Sequence, residues 1–225
     1  MTDERQHPSL REQKKEETRH ALSRAAAELL LAEGNEGMTV AAIAERAGVS
    51  TRTFHNYFPR REDALLTFIE YTVDELRERV SAAPAGESPL ATMHRLIAER
   101  VDDSEDDSSR APGTLLNLMA IGDHLSYVTG PEDKERVLHL LDGLLEALYL
   151  RDGHNLSRQG TALLLIASLT AGAIAVEGAR RQTPEDTSGC FAPWALRDAG
   201  SGENDRGAEA VLDESFVLLR DGFGG

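Results

Sequence analysis

The sequence predicts an all-α fold of about nine helices, three short ones followed by six that form a bundle. Two observations carry this. Apolar residues recur at helical spacing along nearly the whole chain, and no strand-like alternation runs for more than a few residues. Glycine, proline and hydroxyl residues also stand where helices start and stop. With 225 residues, 40% of them hydrophobic, and a mean hydropathy of −0.36, the chain is long enough to bury a core and reads as soluble.

The first helix is expected from about Ser9 to Glu33, with Leu22, Ala25, Ala26, Leu29 and Leu30 on one face and Gly34 and Gly37 beyond its end. A short second helix spans about Val40 to Ala47, with Thr39 as N-cap. Gly48 ends it, Val49 turns inward, and Ser50 caps a third helix over Thr51 to Tyr57, which Pro59 closes. The helices then lengthen. Arg60 to Ala82 is amphipathic and stops at Pro84 and Gly86. Ser88–Pro89 opens a helix to about Val101, followed by an acidic loop from Asp102 to Gly113. The next helix runs through Leu115, Leu118, Met119, Gly122 and Leu125. Gly130–Pro131 opens another, whose stripe of Val137, Leu141, Leu144, Leu145 and Leu148 ends at Gly153. Ser157 to about Arg181 is the most apolar helix. The Gly/Ser/Asp-rich stretch from Gln182 to Gly207 reads as a flexible loop, and an amphipathic helix over about Ala208 to Arg220 completes the chain.

Charge divides the chain. The net charge is −15, yet residues 1–62 hold ten Lys/Arg against ten Asp/Glu, and residues 63–225 hold fourteen against twenty-nine. The acidic excess thus belongs to the second region, and it does not argue against an anionic partner for the first. The expected organisation is a domain over 1–62, with 1–10 as a flexible arm, and a second over 63–225.

The informative stretch is Met38 to Leu66, MTVAAIAERAGVSTRTFHNYFPRREDALL. A helix, a glycine turn and a capped short helix make a helix-turn-helix. Ile43, Ala44, Ala47, Val49 and Phe54 would pin its two helices together, the alanines being small where the helices cross. The third helix would then expose Thr51, Arg52, His55 and Asn56 as base readers. Arginine pairs bidentately with guanine in the major groove, which discriminates by about 1–3 kcal/mol. Thr39, Ser50, Thr53, Tyr57 and Arg61 suit phosphate contacts, which fix position without reading sequence.

From about Thr18 to Leu66 the chain resembles the TetR family of bacterial transcriptional regulators. The residues that carry the resemblance are the stripe of the first helix, the Gly34…Gly37-Met-Thr loop, the Ile43-Ala…Ala47-Gly-Val-Ser turn, Thr53-Phe…Tyr57-Phe-Pro, and Glu62…Leu65. The resemblance implies a DNA-binding head and a helical body for ligand binding and dimerisation. It further implies repression of a palindromic operator, relieved by a small effector. Thr53, Tyr57 and Arg61 match the family's phosphate contacts, with Arg61 where lysine is commoner. His55 stands where tyrosine or phenylalanine is usual, and Arg52 where glycine is common, so the operator should differ from those of glycine-bearing relatives. The upstream Arg11, Lys14, Lys15 and Arg19 could also reach DNA, though Glu12, Glu16 and Glu17 interleave with them.

For the body, bulky or polar residues on apolar faces are the effector-pocket candidates: Phe68, Tyr71, Met93, Ile97, Asn117, Met119, His124 and Tyr127. A mostly apolar pocket is expected. Ala167, Ala171, Gly172 and Ala175 are small enough for close helix approach. With Phe216 of the last helix they are expected at a two-fold dimer interface, giving the homodimer that a palindromic operator demands.

Other chemistries find little support. Gln159 to Val176 is an uncharged run of eighteen residues, but its polar members and missing aromatic anchors favour a buried bundle helix over a membrane span. The Asp102-Asp-Ser-Glu-Asp-Asp loop lacks the glycine and the glutamate of a calcium loop. His94, His124, His139 and His154 lie apart and show no metal spacing. No nucleophile elbow or phosphate loop occurs, so neither enzyme activity nor a cofactor is expected. Cys190 reads as an ordinary loop thiol. The N-terminus has no apolar signal region, and a cytoplasmic location is expected. The rival classes are an activator or effector-independent regulator, and a helical carrier or enzyme with a vestigial head.

Overall fold

The computed structural model describes residues 9–102, 115–152, 154–180 and 208–221. Among the described residues there are nine helices and no strand: α1 (Leu10–Gly37), α2 (Val40–Arg46), α3 (Thr51–Tyr57), α4 (Arg61–Ser81), α5 (Pro89–Asp102), α6 (Leu115–Val128), α7 (Pro131–Tyr149), α8 (Arg158–Arg180) and α9 (Ala208–Asp221). Residues 1–8 of the expected arm 1–10, most of the acidic loop after Asp102, and the 182–207 segment with Cys190 lie outside the described residues, while Ser9 and Leu10 of that arm are the cap and first residue of α1.

The chain divides into two compact units between Ile69 and Glu70, within α4. That is two turns beyond the boundary expected at 62/63. The reason is burial: Ala64, Leu65, Leu66, Phe68 and Ile69 are all sunk in apolar surroundings, and the unit that ends at Ile69 retains them.

In the first unit, α1 starts on a capping box. Ser9 Oγ accepts from the Glu12 amide at 3.3 Å, and the Glu12 carboxylate accepts from the Ser9 amide at 2.8 Å. The Ser9 amide, then the Ser9 side chain, hold the exposed Glu12 carboxyl below the usual carboxylate range. Leu22, Ala25, Ala26 and Leu29 form the buried stripe of α1. The helix breaks at Gly34, whose φ of 70° suits glycine, and the Met38 amide closes on the Gly34 carbonyl at 3.2 Å. The α1 ending expected at Glu33 is therefore the end of its regular part. Leu22, Met38, Ile43, Phe54, Phe58, Leu65 and Leu66 are the large, fully buried side chains among the described residues of this unit.

In the second unit, Val80, Met93, Leu96, Ile97, Leu144, Leu148, Leu165, Ala171, Ala175, Leu212 and Phe216 make one apolar core, with α8 packed against α5, α7 and α9. The corner between α4 and α5 is held by charge. Arg151 Nη1 and Nη2 donate to the carbonyls of Val80 at 2.7 Å, in the last turn of α4, and of Pro84 at 2.6 Å, just beyond it. Glu87 accepts two bonds from Arg95, at 3.0 and 3.1 Å, and one from Thr92 at 2.9 Å. Arg95, then Thr92, hold the Glu87 carboxyl below the usual carboxylate range. The window Arg158–Ala175 of α8 is long and apolar enough to cross a membrane by composition. Its Leu165, Ala171 and Ala175 instead build the core of the bundle.

Candidate nucleic-acid interface

The geometry of the α2–α3 pair follows from its turn. Gly48, at φ 69°, occupies the left-handed position just past α2. Its amide donates to the Glu45 carbonyl at 3.0 Å and the Val49 amide to the Ala44 carbonyl at 2.9 Å, the paired bonds of a Schellman ending. Ser50 then caps α3 by accepting from the Thr53 amide at 3.1 Å, as Thr39 caps α2 by accepting from the Ala42 amide at 3.2 Å. The predicted caps stand where the sequence put them. Ile43, Ala44 and Phe54 are fully buried, Ala47 and Val49 half-buried. Phe54 packs on Phe58 with ring centroids 5.7 Å apart.

Fixing Phe54 inward turns the opposite side of α3 outward. Thr51, Arg52, His55 and Asn56 are all exposed. These four base-reading candidates therefore share one solvent face of a seven-residue helix. Of the phosphate candidates, Thr39 and Ser50 are exposed, while Thr53 and Tyr57 are half-buried beside that face. Thr53 Oγ1 lies 2.9 Å from Ser50 Oγ, so the two hydroxyls already share a hydrogen bond.

Two arginines are placed differently from expectation. Arg61 Nη1 donates to the carbonyls of Asn35 at 2.8 Å and Met38 at 3.0 Å. Its Nη2 donates to Asn35 Oδ1 at 2.8 Å and its Nε to Glu62 at 2.9 Å. The last turn of α1 has no basic residue, and Arg61 supplies the cation that its carbonyls attract. Its guanidinium is thus committed to the protein and not held out toward a phosphate. Arg19 lies over the Phe58 ring, 5.6 Å from the centroid, and donates to Thr67 Oγ1 at 3.2 Å. The sequence hint missed in both cases was a neighbour: Asn35 for Arg61, Phe58 for Arg19. Arg24 pairs with Glu28, Arg46 with Glu33, and Arg60 with Asp63. Among the described residues of this unit, Arg11, Lys14, Lys15 and Arg52 form no ion pair.

The body candidates are scattered. Phe68 is a core residue of the first unit, and Met93 and Ile97 are core residues of the second. His124 and Tyr71 are half-buried, and Tyr127 is 82% exposed, which places it on the surface and not in a pocket. The side chains of Asn117 and Met119, on α6, lie outside the described residues. None of the eight lines the cleft of about 420 Å³ between α4 and α7, which is bounded by Asp74, Arg77, Glu132, Glu135, Arg136 and His139 among others. The small residues expected at a dimer interface also need correction. Ala171, Gly172, Ala175 and Phe216 are buried within the single chain, and Ala167 is half-buried, because α5 and α9 approach α8 from inside the bundle. Among the described residues, the large exposed apolar side chains of α8 and α9 are Leu163, Ile166, Val217 and Leu218.

Comparison with known proteins places this geometry. Residues 22–66 match the family described as "Bacterial regulatory proteins, tetR family". The HTH-type transcriptional regulator TcmR of Streptomyces glaucescens is 41% identical over 101 residues, which cover 44% of this chain and 45% of that regulator. The chain thus matches less than half the length of this curated relative. Among solved structures, FadR of Bacillus subtilis in complex with stearoyl-CoA aligns with a TM-score of 0.57 at 16% identity, over 91% of this chain and 98% of that one. A transcriptional regulator from Rhodococcus sp. Rha1 aligns with a TM-score of 0.56 at 20% identity, over 90% and 96%. At these identities the structural likeness establishes the fold.

Proposed function

We propose that this chain, whose residues 22–66 match the bacterial regulatory proteins of the tetR family, is a dimeric transcriptional repressor. It reads a palindromic operator and is released by a small, largely apolar effector. The observation that carries the reading is the solvent face of α3, where Thr51, Arg52, His55 and Asn56 stand together over a core fixed by Phe54. Arg52 is the base reader, and its free guanidinium suits guanine O6 and N7. Thr39, Ser50, Thr53 and Tyr57 position the helix on the phosphates.

Two copies join through the outward faces of α8 and α9, where Leu163 and Ile166 are 68% and 64% exposed. A two-fold pairing of this kind sets the spacing of the two α3 helices, and half-sites must lie about 34–36 Å apart or multiples of that. Release follows when an effector favours a body arrangement in which α4 is displaced. The effector can shift that balance only by its differential affinity for the two arrangements. Met93 and Ile97 are close-packed in this state, so an apolar ligand entering there must open the core; Met93, unbranched and pliant, is suited to yield. The FadR structure named above was solved with stearoyl-CoA, which makes that compound a sensible first probe for release.

The test is binding to a duplex from the DNA flanking the chain's own gene, titrated with salt, for wild type and Arg52→Ala. Wild type should prefer this duplex over random sequence. The variant should lose about 1–3 kcal/mol of that preference while keeping its affinity for random DNA. A wild type without preference for any flanking sequence would overturn the regulator reading.

A further inference from the structure

We infer that the first two turns of α1 form a second DNA contact, a basic stripe of Arg11, Lys14 and Lys15 that grips the phosphate backbone beside the base pairs read by α3. This rests on the DNA-binding reading above and adds to it a surface outside the helix-turn-helix.

In the sequence these cations alternate with Glu12, Glu16 and Glu17, and the charges cancel. The capping box at Ser9 and Glu12 makes residue 10 onward helical, and the helix sorts them. At 3.6 residues per turn, Arg11, Lys14 and Lys15 fall within an arc of about 100°, and the three glutamates fall within the remaining part of the circle. The basic arc is the one that Leu22, Ala25, Ala26 and Leu29 occupy further along, where α1 buries against its neighbours. The face that is core at the middle of α1 is therefore basic where the helix runs on beyond that core.

Its place in the unit follows from Arg19, which touches Phe58 at the end of α3 and Thr67 on α4. At 1.5 Å rise per residue, Lys15 lies about 6 Å and Arg11 about 12 Å further along α1 from that contact. Arg11, Lys14 and Lys15 are exposed and have no ion pair among the described residues, whereas Arg24, Arg46, Arg60 and Arg61 are each tied to a carboxylate. Three unpaired cations on one exposed arc, close to the end of the reading helix, are complementary to a polyanion. Glu12 and Glu17 stand three residues from Lys15 and Lys14, yet the Glu12 carboxylate is engaged at the Ser9 amide and no ion pair joins the three cations to the glutamates among the described residues.

Lysine and arginine that meet phosphates release counterions, and each lowers the slope of log K against log salt by about 0.9. The experiment uses the full-length protein and a mixed-sequence duplex. It compares wild type with the triple variant Arg11→Gln, Lys14→Gln, Lys15→Gln and with the control pair Arg24→Gln, Arg46→Gln. Glutamine keeps helix propensity, and an unchanged circular dichroism spectrum verifies the fold. The stripe predicts a slope shallower by about 0.9 for each cation that meets a phosphate in the triple variant, against a control near wild type. A triple variant with the wild-type slope overturns the stripe while leaving the α3 reading intact. Equal loss in the control pair also overturns it, since the effect would then be net charge alone. A wild type that binds no duplex at low salt overturns both readings.

Discussion

Arg61 shows what one side chain can be asked to do in this head. Four of its hydrogen bonds go to Asn35, Met38 and Glu62, so it joins the start of α4 to the break after α1. A phosphate contact and a structural clasp make opposite predictions for substitution. Arg61→Gln should lower the stability of the DNA-free protein by about 1–3 kcal/mol, the worth of charge-assisted bonds to backbone carbonyls. Its slope of affinity against salt should stay at the wild-type value. Arg61→Lys should lose most of the same stability, because an ammonium cannot fork between Asn35 and Met38. Thermal melting without DNA, beside a salt titration with it, separates the two roles. A stable Arg61→Gln protein with a shallower slope would return Arg61 to the phosphates. The exposed α3 face, by contrast, was legible from spacing alone, because Phe54 three residues after Thr51 fixes which side is inward. Arg61 and Arg19 were not legible, since the choice between solvent and a protein carbonyl depends on residues such as Asn35 that lie far off in the sequence.

At the scale of the helix, most boundaries were readable because each start or stop has a local cause. Thr39, Ser50 and Ser9 cap through bonds within a few residues, Pro89 and Pro131 start helices with a φ their rings fix, and Gly34 and Gly48 stop them. What was not readable was how α4 divides. Its hydrophobic stripe looks continuous, and only the tertiary burial of Ala64 to Ile69 assigns the first turns to one unit and the rest to the other. The α4–α5 corner is equally non-local, since Arg151 reaches it from beyond α7. Glu87 gives that corner a dependence on pH. Its carboxyl titrates lower when folded, first through Arg95, so its ionised form stabilises the fold above the ordinary value of 4.5. That contribution fades as pH falls through the folded pKa. The melting temperature of Glu87→Gln should therefore fall below that of wild type at neutral pH and draw level with it in acid. Parallel melting curves down to about pH 3 would show that the corner does not depend on the charge of Glu87.

For the whole molecule the open question is which faces meet another copy, and here the small residues of α8 misdirect. Alanine and glycine at helical spacing say that something approaches closely; they do not say whether it belongs to the same chain. In this fold α5 and α9 are what approach, and they bury Ala171 and Ala175 in a core that Phe216 of α9 joins. Among the described residues of α8 and α9, the large side chains that stay apolar in spite of exposure are Leu163 and Ile166 with Val217 and Leu218, the faces proposed above for a partner. A stretch of this kind on the outside of a helix pair is what an isologous contact covers. Two substitutions separate the readings. Leu163→Glu with Ile166→Glu places charge on exposed sites, so it should leave the fold of each chain intact and turn a dimer into a monomer in light scattering. Operator affinity should fall with it, because a palindrome then binds one head at a time. Ala171→Leu overpacks the core, so it should cost about 1–3 kcal/mol of stability and leave the assembly state unchanged in the folded fraction. If Ala171→Leu instead gave folded monomers while the double glutamate variant stayed dimeric, the small residues would be the interface after all, and the bundle would have to open to present them.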